Sequence, residues 1–150
     1  TTVNGPSITW DTHKDNFNRT KKLAGVLDPA LSALVRELER RDLFRTTMVV
    51  CLGDFGRTPR INGTEGRDHF PNAWSAVLAG GGLAKGQVFG ETDAQGAKVV
   101  RDPVTVPNLM ATIAARLGLD PKEQAFAPSG RPIALTDNGV PVTALIAPRG

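Results

Sequence analysis

Cysteine is almost absent from this sequence. Cys51 stands alone, which rules out an internal disulfide and any multi-cysteine zinc cluster. Tyrosine is missing, and Trp10 and Trp74 are the only tryptophans, too few aromatics for the stacking platform of a carbohydrate-binding module. An excess of one charge sign is also lacking. The formal net charge is +3 over 150 residues with Lys and Arg scattered, which argues against a nucleic-acid partner. Apolar runs break well short of the roughly 18 residues that a membrane-spanning helix needs, so no membrane span is expected. Thr1 is not followed by a charged and then apolar leader. The chain opens without an initiator Met, and removal of upstream sequence is the expectation.

What is present suits one ordinary core, since 40% of the residues are hydrophobic. Ser7 to Trp10 alternates like a short strand and stops at the polar run Asp11 to Asp15. Asp28 as N-cap, Pro29 at the first helical position, and Leu31, Leu34, Val35 and Leu38 at helical spacing predict a helix from about Pro29 to Arg41. Thr46 to Leu52 is a continuous apolar and β-branched run, the pattern of a strand buried on both faces. Strand, helix, strand in this order predicts a right-handed βαβ unit with parallel strands, whose carboxyl ends would place Asp11 and Asp54 at one edge. A third strand is expected over Trp74 to Ala79, a hairpin around Asp93 to Gly96, and a helix opened by Pro107 and ended by Gly118. That helix is expected to bury Leu109, Met110, Ile113, Ala114 and Leu117. Asp137-Asn138-Gly139 marks a turn between two short extended pieces.

The chain has two histidines, and each stands near an acid: Asp11-Thr12-His13 and Asp68-His69. Neither lies in an apolar helical stripe. An isolated Asp-x-His is ordinarily a polar surface loop, but here each acid sits at a predicted strand end or in a glycine-rich loop. Imidazole and carboxylate together ligate zinc and similar ions, and in an extended backbone Asp11 and His13 point to the same side. Gly53 to Arg60 adds a second feature. Glycines flanking Asp54 permit a tight turn, and Arg57 offers a planar fork for phosphate, sulfate or carboxylate. Asp54-Phe55-Gly56 spells the kinase metal motif, but the Gly-rich loop, strand Lys and His-Arg-Asp loop of kinases do not precede it. Gly80-Gly81-Gly82 lacks the Gly-Lys-Ser/Thr ending of a P-loop, and Cys51 reads as a core residue.

Together, Trp10 to His13, Gly53 to Pro59 and Gly66-Arg67-Asp68-His69-Phe70-Pro71 resemble a family of uncharacterised bacterial proteins, domain of unknown function 1501, usually grouped with the alkaline phosphatase and sulfatase superfamily. The resemblance continues through Gly80-Gly81-Gly82, the Val104 to Leu119 helix and the Pro132 to Val142 tail, covering nearly the whole chain. It implies an α/β fold of alkaline phosphatase type, a mainly parallel sheet with helices on its faces. The chain would be the carboxyl-terminal part of one such domain, with the amino-terminal half that carries the nucleophile missing. Asp11, His13 and His69 resemble the ligands of one metal and Asp54 a ligand of a second, with Arg67 and Asp68 orienting His69 or closing its loop. Two departures from the phosphatase pattern are visible. The Asp-His spacing is shorter than the usual three intervening residues, and Phe55 stands where phosphatases commonly have a His.

The function that the resemblance implies is metal-dependent hydrolysis of a small-molecule or glycan phosphate or sulfate ester. One or two divalent ions are expected, zinc first, with calcium or manganese as alternatives, and Arg57 would hold a non-bridging oxygen. No nucleophile is nominated, and the isolated chain is expected to be inactive. The rival reading is a non-catalytic extracytoplasmic binding or assembly domain. A periplasmic or secreted location is implied by the resemblance alone.

Overall fold

The computed structural model describes residues 9–146. In chain order these form helix α1 (Asn16–Arg40), strands β1 (Met48–Leu52), β2 (Gly56–Arg57), β3 (His69–Phe70), β4 (Ala76–Gly80), β5 (Glu91–Thr92) and β6 (Val99–Arg101), helix α2 (Val106–Arg116), strands β7 (Gln124–Phe126) and β8 (Pro132–Ala134), and a 3₁₀ turn over Thr143–Leu145. The chain divides into two compact units. One comprises the sequence up to Phe44 with Cys51–Ala76 and Thr92–Lys98; the other comprises Arg45–Val50, Val77–Glu91 and the sequence from Val99 onward.

In the first unit, α1 begins well before the predicted Pro29 start, and Pro29 lies inside the helix. Proline removes one backbone donor and crowds the carbonyl four residues earlier; here that position is Gly25. The start of α1 has no side-chain cap. Its first N–H groups are satisfied from another loop instead: Asp15 N–H donates to Thr64 O at 3.1 Å and Asn16 N–H to Glu65 O at 2.9 Å. Strands β2 and β3 pair antiparallel, with Gly56 opposite Phe70 and Arg57 opposite His69. A Cβ at position 56 would lie 1.9 Å from Ala73 O, so this pairing is built around a glycine.

The second unit holds the apolar core, in which Leu83, Leu109, Ala111 and Ala114 are buried. Helix α2 forms where expected. Thr105 caps it, its side chain accepting from Asn108 N–H at 3.2 Å, with Pro107 in the first turn. Its buried stripe is Leu109, Ala111, Thr112 and Ala114, whereas Met110 and Leu117 are exposed. Thr112 Oγ1 donates to Asn108 O at 2.7 Å and accepts from Val142 N–H at 2.9 Å, tying the chain after β8 to the helix. Strands β7 and β8 make an antiparallel hairpin from Gln124↔Ala134 to Phe126↔Pro132. The turn at Asp137-Asn138-Gly139 places Asp137 and Asn138 at positive φ and closes with Gly139 N–H to Thr136 O at 3.0 Å.

The mainly parallel α/β sheet with helices on its faces is not what the chain forms. The described residues contain two α-helices and two-stranded sheets, β1 with β4, β2 with β3, β5 with β6 and β7 with β8. Each strand thus has one neighbour, and the apolar run read as buried on both faces leaves Val50 and Leu52 37% and 45% exposed. Of the strand expected over Ser7 to Trp10, residues 7–8 lie outside the described residues and Thr9 and Trp10 are not in a strand. The parallel βαβ unit therefore does not form, and Asp11 does not reach its place by standing at a sheet edge. The hairpin around Asp93 to Gly96 does form, between β5 and β6. No helix among the described residues is long and apolar enough to cross a membrane.

Candidate metal centre

All the residues of the candidate site lie in the first unit, and loop-to-loop hydrogen bonds bring them together. The segment Asp11 to Asp15 lies along the segment Asn62 to Asp68. Arg67 N–H donates to Thr12 O at 3.0 Å, and Thr64 Oγ1 donates to His13 O at 2.7 Å. Thr12 itself is buried, its hydroxyl donating to Asn16 Oδ1 at 2.6 Å. The approach of the two segments demands a residue without a side chain at position 66. A Cβ on Gly66 would stand 1.9 Å from His13 O and 2.6 Å from Lys14 N, well inside van der Waals contact.

This stapling leaves three ligand atoms at the corners of a small triangle. Asp11 Oδ1 is 2.9 Å from His69 Nε2 and 3.1 Å from His13 Nε2, and the two Nε2 atoms are 3.1 Å apart. Ligand atoms about 2.0–2.1 Å from a tetrahedral ion stand about 3.3 Å from one another, so the triangle needs to open by only a few tenths of an ångström to accept one. Three protein ligands leave the fourth position to water or substrate, the pattern of catalytic zinc sites. Asp11, His13 and His69 are each about half exposed, which gives the ion a path in.

The surroundings fix which atoms face that point. Asp68 Oδ1 lies 2.7 Å from His13 Nδ1, and an ionised carboxylate can only accept, so Nδ1 carries the proton and neutral His13 turns the lone pair of Nε2 inward. The hydrogen bond from His13, followed by one from Asn62, holds the Asp68 carboxyl below the usual range. Asp11 is pushed down to about 2, first by its hydrogen bond with His69 and then by that with Arg57, whose Nη1 lies 2.8 Å from Oδ1. Both acids are thus anionic over the range in which a metal ligand must be. The Phe55 ring packs against His69, with centroids 4.1 Å apart, and limits its swing.

The sequence-predicted residues separate into groups. Asp11, His13 and His69 converge. Arg57 stands across the strand pair from His69 and is bound to Asp11. Asp68 holds His13, not the adjacent His69. Arg67 closes the loop, its Nη1 donating to the carbonyls of Thr58 at 2.5 Å and Pro59 at 2.7 Å. Asp54 is not part of the converging group; its Oδ1 accepts from Phe55 N–H at 3.0 Å. Sequence reasoning passed over Asn62, whose carboxamide joins the two loops; its one visible signal was the Asn-Gly-Thr turn between the Gly53 to Arg60 and Gly66 to Pro71 segments.

Residues 2–146 match the family described as protein of unknown function DUF1501, and the chain belongs to that family. No curated protein and no solved structure was found to match it.

Proposed function

We propose that this chain supplies a single divalent-metal site, zinc by preference, to a hydrolase of phosphate or sulfate esters. The observation that carries the reading is the triangle of Asp11 Oδ1, His13 Nε2 and His69 Nε2, with every edge between 2.9 and 3.1 Å. Two imidazoles and one carboxylate favour zinc over calcium or manganese, which prefer all-oxygen sets. We take one ion because Asp11, His13 and His69 are the one group of potential ligands that converges among the described residues. When bound, the ion would supply charge stabilisation at the ester oxygen and polarise the attacking group.

The chain's own residues have distinct tasks in this reading. Asp11, His13 and His69 hold the ion, and Asp68 fixes the tautomer of His13. Arg57 keeps Asp11 ionised through one Nη1 contact and, with five N–H donors on the guanidinium, retains others for a non-bridging oxygen of the ester. The superfamily placement rests on the Asp-x-His and later His motif and not on a parallel sheet. The nucleophile is assigned to a preceding half of a longer protein, of which this chain would be the carboxyl-terminal part. A periplasmic or secreted location belongs to the same proposal.

The test is ester turnover by the longer protein, with zinc and after chelation. Zinc-dependent hydrolysis of an aryl phosphate or aryl sulfate that is lost in Asp11→Ala and His69→Ala supports the reading. Full zinc content without turnover on either ester overturns hydrolysis and leaves a binding or assembly domain, a role to which the exposure of the site is equally suited. The isolated chain is expected to bind zinc more weakly than the longer protein and to turn over neither ester.

A further inference from the structure

Asn62 touches none of the three ligand atoms, yet its carboxamide has partners on both sides of the site. Nδ2 donates to His13 O and to Asp68 Oδ1, each at 3.1 Å. Oδ1 accepts from Gly66 N–H at 2.8 Å and Thr64 N–H at 3.0 Å. These partners fix the orientation of the amide. Turned over, its oxygen would face a carbonyl and a carboxylate while its NH₂ faced two N–H groups, so four contacts would become repulsive at once.

The two Nδ2 bonds converge on one residue by different routes. One holds the backbone of His13; the other holds the carboxylate that accepts the hydrogen bond from Nδ1–H of the same His13. Position and tautomer of a ligand are thereby set by one side chain. Metal-bound histidines depend on such partners for ring orientation and basicity. The Oδ1 bonds meanwhile hold Gly66, the residue whose missing side chain lets the loops meet.

We propose that Asn62 is the positioning residue of the metal centre, locking the His13 loop to the Asp68 carboxylate so that His13 presents Nε2 to the ion. The inference rests on the metal-site reading given above and deepens it. Asn62→Asp is the incisive substitution, because it keeps size and shape but puts an acceptor where the His13 carbonyl and the Asp68 carboxylate need a donor. Asp68→Asn is the companion, sparing the Asn62 bond to the His13 backbone while removing the charge that fixes the Nδ1 proton.

The experiment measures zinc affinity of the full chain by competition with a chromophoric chelator, and the tautomers of His13 and His69 by long-range ¹H–¹⁵N NMR on the metal-free protein. In wild type His13 is expected as the Nδ1–H form. Asn62→Asp is expected to lose that single form and to weaken zinc binding by about 10- to 100-fold. Asp68→Asn is expected to change the His13 signals in the same sense with the loops still folded, so the outcome does not depend on Asn62→Asp folding well. A wild type that binds zinc, with both variants binding equally well and keeping the His13 tautomer, overturns the role of Asn62 and leaves the metal site standing. A folded wild type that binds no zinc overturns the metal reading itself, and the positioning role with it.

Discussion

His13 and His69 stand 56 residues apart in sequence, and their Nε2 atoms face each other at 3.1 Å with Asp11 Oδ1 within reach of both. With the proton of His13 drawn to Nδ1 by Asp68, only the Nε2–H of His69 can separate the lone pairs gathered there. A cation entering here meets two acceptors already turned inward, Asp11 Oδ1 and His13 Nε2, and gains the third when the His69 proton moves from Nε2 to Nδ1. Cobalt(II) offered in place of zinc is therefore expected to give the intense visible absorption of a four-coordinate site. A weak six-coordinate spectrum would mean that the triangle does not open around an ion as described.

Gly66→Ala is expected to destabilise the protein by about 1–3 kcal/mol, since the added methyl must displace backbone and not a flexible side chain. The atom in its way is His13 O, so zinc retention should fall with stability. Urea melts with and without zinc check both. A stable variant that keeps its zinc would show that the loops have room to spare.

The acid limb of stability should carry the signature of Asp11. Its folded pKa of about 2 lies below the value of about 3.9 for an unfolded aspartate. The unfolded chain therefore takes up protons first as pH falls. The stabilisation is complete above about pH 4 and disappears as pH drops through about 2. Asp68 is shifted in the same direction and adds to the slope. Metal-free denaturation between pH 5 and pH 2 should show this loss, and Asp11→Asn should flatten it. An unchanged slope in Asp11→Asn would remove the ion pair from the account.

How much could be read from the sequence divides along the range of the interactions. Asp11 and His13 were legible because a one-residue spacing is a local fact, and α2 because Pro107 and Gly118 punctuate it. The strand pairing was not, and the expected parallel sheet does not form, since pairing is decided by partners far along the chain. Met48–Leu52 is apolar enough for a central strand but acquires only β4 as a neighbour. The start of α1 was equally hidden. Its first N–H groups are capped by the carbonyls of Thr64 and Glu65, which no inspection of residues 10–20 reveals. Asn62 was missed for the same reason, because a turn-forming Asn becomes a positioning group only once His13 O and Asp68 stand beside it.

Away from the metal centre, Thr112→Val should destabilise the second unit. Valine matches the shape of buried Thr112 but leaves the half-buried Val142 N–H without its 2.9 Å acceptor, at about 1 kcal/mol. Urea denaturation measures it. A neutral result would mean that Val142 finds water or another acceptor.

The most direct test of the metal centre is the zinc content of the purified full chain after equilibration with zinc and removal of excess by gel filtration, set beside the dissociation constant from chelator competition. One zinc per chain is expected, with affinity falling in each of Asp11→Ala, His13→Ala and His69→Ala by more than the roughly 10- to 100-fold that loss of an outer partner costs, since each removes one of three protein ligands. A folded wild type that holds no zinc, or three variants that hold it as tightly as wild type, would contradict the metal site.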